Sequence, residues 1–265
     1  MAKETIIKVE NLIKKFGDRT VLNGIDMEIY KGETFVIMGG SGCGKSTLLR
    51  HMIGAIKPDS GKVYMFGKDL TALNEDEMDG IRKKFGISFQ SSALFDSMTV
   101  GENVSLPLRE HTKLDMSVID IVIKMKLELV GLRGFENLLP SQLSGGMRKR
   151  VGLARAIAMD PEIVFYDEPT AGLDPIVGGV IDKLILDLSK KLSITSIVVT
   201  HDMNSVFRIA DRVAMLYEGR VVEAGKIEDI KNSKNGLVKQ FISGSPDGPI
   251  SFVQQKDDYL EQLTK

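Results

Sequence analysis

The sequence predicts an α/β fold: a parallel sheet at the core, a small antiparallel β layer near the N-terminus, and an inserted helical subdomain. Three observations carry that prediction. Residues 34–38, 163–166 and 194–200 are largely apolar runs, as expected of strands covered on both faces in a parallel sheet. Helical patterns separate them, clearest over 180–192, where Ile181, Leu184, Ile185 and Leu188 fall on one face. Residues 6–10 and 25–30 instead alternate apolar and polar, which marks half-buried strands.

The elements then follow in chain order. The alternating strands and residues 61–67, bounded by Gly61 and Gly67, make the antiparallel layer. The apolar strand 34–38 opens the parallel core. Residues 98–158 read as mostly helical, with a polar stretch over 109–117, and form the inserted subdomain. Residues 212–224 return to strands around a Glu218-Gly219 turn. A short helix follows Gly225, then the breakers Gly244-Ser245-Pro246-Asp247-Gly248-Pro249. One unit therefore spans 1–243. The tail, 244–265, ends in a polar stretch carrying Tyr259, Leu260 and Leu263, and reads either as a frayed terminus or as an ordered arm.

Composition excludes several classes. The 265 residues hold 35 Lys+Arg against 36 Asp+Glu and are 43% hydrophobic, the balance of an ordinary globular chain. A net charge of -1 removes the broad attraction that general nucleic-acid binders use, so no nucleic-acid partner is expected. The lone Cys43 excludes an intrachain disulfide and a Cys-rich zinc site, and fits a reducing compartment. No charge-free stretch approaches the roughly 18–20 apolar residues of a membrane span. Met1-Ala2-Lys3-Glu4 leads directly into a strand pattern rather than a signal-peptide core, so a cytoplasmic location is expected.

Gly39-Gly40-Ser41-Gly42-Cys43-Gly44-Lys45-Ser46-Thr47 matches G-x-x-x-x-G-K-[ST] between a buried strand and a helix start. Glycines let backbone N–H groups turn inward around phosphate oxygens, and the helix N-terminus adds partial positive charge. Lys45 is placed to reach the β- and γ-phosphates of ATP, and Ser46 to ligate Mg²⁺. Cys43 has two readings: a thiol made reactive by Lys45 and the helix end, or a small residue filling a tight loop.

Asp167 and Glu168 end the apolar run 163–166, at the edge where parallel sheets bind ligands. Asp167 suits Mg²⁺, and Glu168 suits polarising an attacking water. His201 follows the run 194–200 and emerges on the same edge, in reach of a γ-phosphate or that water. His51 and His111 have no such context.

Leu143-Ser144-Gly145-Gly146-Met147-Arg148-Lys149-Arg150 opens a helix before the acidic strand. Ser144, Gly145 and Gly146 form an anion site at a helix N-terminus. With these motifs the chain, over about residues 5–225, resembles the nucleotide-binding subunits of ATP-binding-cassette (ABC) transporters. The ordered matches are the phosphate loop, Gln90 after Ile87-Ser88-Phe89, the LSGG signature, Asp167-Glu168, Ala171-Gly172-Leu173-Asp174 and His201. The resemblance implies a P-loop NTPase core of RecA-like type. It also implies adenine stacking on Phe16, Gln90 as a Mg²⁺ ligand and γ-phosphate sensor beside His201, and a nucleotide-facing loop at Asp174. It further implies a head-to-tail dimer in which each signature closes over the partner's ATP. Met147 departs from the family's usual Gln and loses the amide's donors.

A narrower resemblance is to the ATPases of bacterial phospholipid transport. It rests on LSGGM followed by basic residues, the stretch Asn103 to Thr112, and Phe241-Ile242-Ser243-Gly244 with Asp247-Gly248-Pro249. That branch implies a membrane permease, a lipid-binding MCE-domain protein and a small STAS-domain protein as partners. It places the chain at the cytoplasmic face of the inner membrane, and the tail as an arm to the partner ATPase. An ATPase for amino acids or metal ions remains an alternative, as does a non-transport ABC protein on DNA or ribosomes.

Overall fold

The computed structural model describes residues 3–250. Strand β1 (Thr5–Phe16) and strand β2 (Arg19–Tyr30) form a long hairpin, followed by β3 (Thr34–Met38) and α1 (Lys45–Met52). Next come β4 (Ser60–Met65), β5 (Lys68–Asp69), α2 (Glu75–Arg82) and β6 (Phe85–Ser88). Helices α3 (Val100–His111) and α4 (Met116–Leu129), a 3₁₀ turn at Pro140–Gln142, and α5 (Gly145–Ala156) occupy the middle of the chain. Then β7 (Ile163–Asp167), α6 (Pro175–Leu192), β8 (Thr195–Thr200), α7 (Met203–Ile209) and β9 (Arg212–Tyr217) alternate. Strand β10 (Arg220–Lys226) and the helices α8 (Ile227–Lys231) and α9 (Gly236–Ser243) complete the order.

A six-stranded sheet runs β10-β9-β3-β8-β7-β6, parallel except for the antiparallel β10 edge. A four-stranded antiparallel sheet runs β2-β1-β4-β5. Alternate residues of each parallel strand enter different cores. Phe35, Ile37, Phe165 and Val199 pack toward α1 and the antiparallel sheet, whereas Val36, Met38, Tyr166 and Val198 pack toward the helices. Cover on both faces is why these strands are apolar through their middles, and why their polar groups collect toward the ends.

Local chemistry sets the boundaries. Strand β1 extends well past residue 10, because Asn11 (φ 41°) inserts a bulge that breaks the alternation without ending the strand. The Glu218-Gly219 turn joins β9 to β10 with both residues at positive φ, 46° and 71°. Helices α2 and α3 start with reciprocal capping boxes, Asn74 with Glu77 and Thr99 with Glu102.

Strand β6 lies on the sheet edge under α5, and Gly86 permits that contact. A Cβ there would stand 1.9 Å from the Ala156 carbonyl oxygen. Gly86→Ala is expected to lower stability by about 1–3 kcal/mol, because backbone on one side and sheet on the other cannot both yield. The shift of the urea midpoint at constant m-value measures it.

Candidate active site

The carboxyl ends of β3, β7 and β8 converge on one edge, as their parallel registers require. From β3 the chain enters the loop 39–44 and then α1. Gly39 has no space for a side chain: a Cβ would sit 2.2 Å from the Leu216 carbonyl oxygen. Gly44 caps α1 without a side chain, leaving the helix's first amides free to face an anion. Lys45 is buried, and its Nζ donates to the carbonyls of Gly39 at 2.8 Å and Gly40 at 2.9 Å. The ammonium is thus already held at the loop that would surround a triphosphate.

Cys43 lies half-buried in this loop, and burial pushes its thiol above the ordinary range despite the opposing charge of Lys45. Cys43 also packs against the apolar core beneath the antiparallel sheet, which favours the small-filler reading. Of the other histidines, His51 is buried with Nδ1 2.8 Å from the Thr47 carbonyl.

The two acids at the end of β7 stand in different surroundings. Burial raises the Asp167 carboxyl, and the adjacent Glu168 charge adds to the rise; Arg50, Lys45 and the Ser46 hydroxyl oppose it. Asp167 Oδ1 is buried with no hydrogen-bond partner. A desolvated carboxylate oxygen beside a hydroxyl and a phosphate loop fits a hard divalent cation, which takes oxygen ligands. Ser46, Gln90 and Asp167 are the residues available to hold Mg²⁺. Among the described residues no cluster of three or more His, Cys, Asp or Glu forms a metal cage.

Glu168 is fully partnered. Its Oε1 lies 2.9 Å from His201 Nδ1, and its Oε2 accepts from Thr200 Oγ1 at 3.2 Å. Glu168 also has φ 46°, a sparsely populated conformation for a non-glycine residue. The His201 side chain is 58% exposed against 12% for Glu168, so the pair runs from solvent to strand end.

Several residues lie outside this cluster. Phe16, 52% exposed at the β1–β2 hairpin, has the Lys14 ammonium 5.4 Å from its ring centroid. Ser144 caps α5 by accepting from the Met147 amide at 3.3 Å, and Gly145 is exposed beside it. Asp174 caps α6, accepting from the amides of Ile176 and Val177, both at 3.0 Å. These hydrogen bonds stay within each residue's own helix terminus. Met147 packs against the helical core, as its thioether favours.

The structure also contributes residues that the sequence reading did not single out. Lys149 Nζ donates to the Gln90 carbonyl and, at 3.2 Å, to the Glu168 carbonyl. Arg155 donates to the carbonyls of Ala93 at 2.7 Å and Ser92 at 2.8 Å. Ser92 and Ala93 have φ of 63° and 44°, which costs about 1–3 kcal/mol each and persists only where surroundings enforce it. Buried Asn103 holds the same segment, accepting from the Phe95 amide and donating toward the carbonyls of Phe95, Met98 and Thr99.

The sequence pattern that defines the ABC transporter family matches residues 22–171, more than half of the 265. The chain belongs to the ABC transporter family. It is similar to the intermembrane phospholipid transport system ATP-binding protein MlaF of Haemophilus influenzae, 43% identical over 98% of both chains. It is 42% identical to the protein of the same name from Escherichia coli K12, over 93% of this chain and 92% of that one. Its fold is similar to a dimeric ATP-binding cassette solved in a post-hydrolysis state with ADP and Pi. That likeness has a TM-score of 0.76 at 34% identity, over 84% of this chain and 99% of the other. As an ABC cassette this chain is an ATPase, so the loop after β3 is read as its triphosphate cradle.

The Asp167 environment yields a pH-dependent expectation. Its folded pKa is raised, so the folded state holds more protons and stability falls as pH climbs from the ordinary carboxylate range through the raised value. Above that range the ionised group costs stability until a cation arrives. Asp167→Asn should therefore melt higher than the parent at pH 7 in EDTA, and lose the extra thermal shift that Mg²⁺ adds to ATP.

Proposed function

We propose that this chain is the ATP-hydrolysing subunit of a bacterial phospholipid transporter, working as a head-to-tail pair beneath a separate permease. The cargo reading is supported by near full-length similarity to proteins named for intermembrane phospholipid transport. The observation that carries the mechanism is the fully partnered Glu168 beside the orphaned Asp167 oxygen.

Residue roles follow from that edge. Phe16 stacks on adenine. The amides of Gly39, Gly40, Ser41, Gly42, Cys43 and Gly44, with Lys45 and Thr47, surround the phosphates. Ser46, Gln90 and Asp167 hold Mg²⁺, which neutralises phosphate charge when bound. Glu168 takes a proton from water as its oxygen attacks the γ-phosphorus, and the bond to the ADP oxygen breaks. His201, fixed through Nδ1, orients the carboxylate and presents its other ring nitrogen toward the γ-phosphate.

A single set of motifs leaves the anion site at Ser144, Gly145 and Gly146 for a second molecule's ATP. Exposed Ile176 and Val180, 81% and 43% accessible on α6, suit burial in that pair, with Asp174 at the contact. ATP binding favours the closed pair and hydrolysis releases it. No described helix is long and apolar enough to cross a membrane. In this reading the membrane passage belongs to the permease. A groove of about 660 Å³ lined by Phe85, Ile87, Phe89, Phe95, Leu106 and Met159 borders Gln90, and a cytoplasmic segment of the permease fits it. The MCE-domain protein works beyond the permease. The STAS-domain partner suits the apolar stripe Val118, Ile121 and Met125 along α4, extended by Leu114 just before the helix, all exposed between 40% and 61%.

In this reading residues 1–243 are the cassette, 98–158 its helical subdomain, and the whole is peripheral to the cytoplasmic face of the inner membrane. Of the tail 244–265, residues 251–265 lie outside the described residues. Up to Ile250 the chain is folded back on α9, where Gln240 accepts from the Ile250 amide at 2.6 Å and donates to its carbonyl at 3.1 Å. That clamp holds residues 244–250 against α9 of the same chain.

Glu168→Gln should lower ATP turnover by about 10²–10⁴ while leaving ATP affinity unchanged, measured by steady-state hydrolysis beside fluorescent-nucleotide titration. Near-parent hydrolysis would refute the assigned base. Affinity purification of the tagged chain from detergent-solubilised membranes should bring down a permease, an MCE-domain protein and bound phospholipid. Recovery of a solute-binding protein, or of ribosomes, would overturn the cargo reading.

A further inference from the structure

We propose that Lys149 is a positioning residue that ties the signature helix α5 to the strand ends bearing Gln90 and Glu168. The placement of α5 then sets where those two side chains stand. The proposal rests on the roles given above to Gln90 and Glu168.

The β6–β7 ladder ends at the pair Ser88↔Tyr166. Gln90 and Glu168 are each two residues beyond that last pair; the Glu168 amide still donates to the Val199 carbonyl of β8 at 2.8 Å, and its carbonyl also accepts from the Ala171 amide at 3.2 Å. The donor that reaches both carbonyls is the Lys149 ammonium. It continues the ladder by other means, from a helix instead of a strand. Glu168 needs such a restraint, since its φ of 46° is not one it would hold unaided.

The lysine is chemically suited to this position. Lys149 is 7% exposed, and among the described residues its ammonium forms no ion pair with a carboxylate. Burial pulls its pKa down, while the nearby charges of Glu168 and Asp167 pull it up. An ammonium carries three donors on one atom and no acceptor, so it can serve two carbonyls without presenting a lone pair to them.

Lys149 does not act alone along the helix. Gly152 and Arg155 follow at intervals of three, on the same face of α5. A Cβ on Gly152 would lie 3.3 Å from Ser92 Cβ, and Arg155 holds the Ser92 and Ala93 carbonyls. One helix face therefore grips the segment after Gln90 over two turns. The N-terminus of that same helix is the signature. Contact between the signature and a second nucleotide is thereby passed to Gln90 and Glu168 by a rigid rod.

The test uses the full chain with Lys149→Met, which keeps the stem but removes the donors, and Lys149→Arg, which keeps them. Turnover, KM, mant-ATP affinity with and without Mg²⁺, and ATP-driven dimerisation in a Glu168→Gln background are read by kinetics, fluorescence and sedimentation. Lys149→Met should lose about 10–10²-fold in kcat, the scale of an ångström-sized misplacement. KM, mant-ATP affinity and dimerisation should stay within about twofold, and Lys149→Arg should recover most of the loss. Parent-like kcat in Lys149→Met overturns the proposal. So does a parallel fall in affinity and dimerisation, or an arginine variant no better than methionine. Should Lys149→Met not fold, Lys149→Gln is judged by the same criteria. Turnover surviving in Glu168→Gln refutes the base assignment instead, whereas turnover lost there but kept in Lys149→Met refutes only the tie.

Discussion

The constraint on which the rest depends is cover on both faces of the parallel sheet. Strands β3, β7 and β8 fill both cores mainly with apolar side chains, with the buried hydroxyls of Thr34, Thr195, Ser196 and Thr200 near their ends, so ionisable groups are deferred to the last residue of the strand or the first past it. Within one peptide of β7 the chain passes from fully buried Tyr166 to partly exposed Asp167. Parallel registers bring those transitions to one edge. A phosphate loop, two acids and a histidine meet there because no other position would take them.

Adjacent acids then acquire opposite uses from their surroundings. Asp167 has a desolvated oxygen with no hydrogen-bond partner, with Lys45, Arg50 and Ser46 nearby, and so is left wanting a cation. Glu168 accepts from Thr200 and His201 on separate oxygens, which fixes its plane and leaves it suited to proton transfer. In the proposed mechanism these two adjacent carboxylates divide metal and base duties by environment rather than by residue type.

What the sequence made legible and what it did not divide along physical lines. Strand β3 was readable to the residue, because burial on both faces writes an unbroken apolar run. Strand β6 was not: Phe85-Gly86-Ile87-Ser88 is short and holds a glycine whose reason lies in Ala156, far along the chain. Helix α2 buries only Met78 and Ile81, too few for a period, although the Asn74–Glu77 capping box was a usable signal. The phosphate loop, Glu168 and His201 were legible because they sit directly after readable strands. Lys149 and Arg155 were not, since basic residues on a helix ordinarily face water. Their spacing with Gly152 was the available clue, and only the loop they grip gives it meaning.

Asn103 carries a consequence for how force passes through the molecule. Its side chain binds the backbone at Phe95, Met98 and Thr99, so the stretch between the groove and α3 cannot flex piecemeal. Ser92 and Ala93, just upstream, are held in conformations that most side chains avoid. A displacement of Phe95 would therefore be shared with its neighbours as far as Ser92 and Ala93, whose carbonyls Arg155 holds, two and three residues past Gln90.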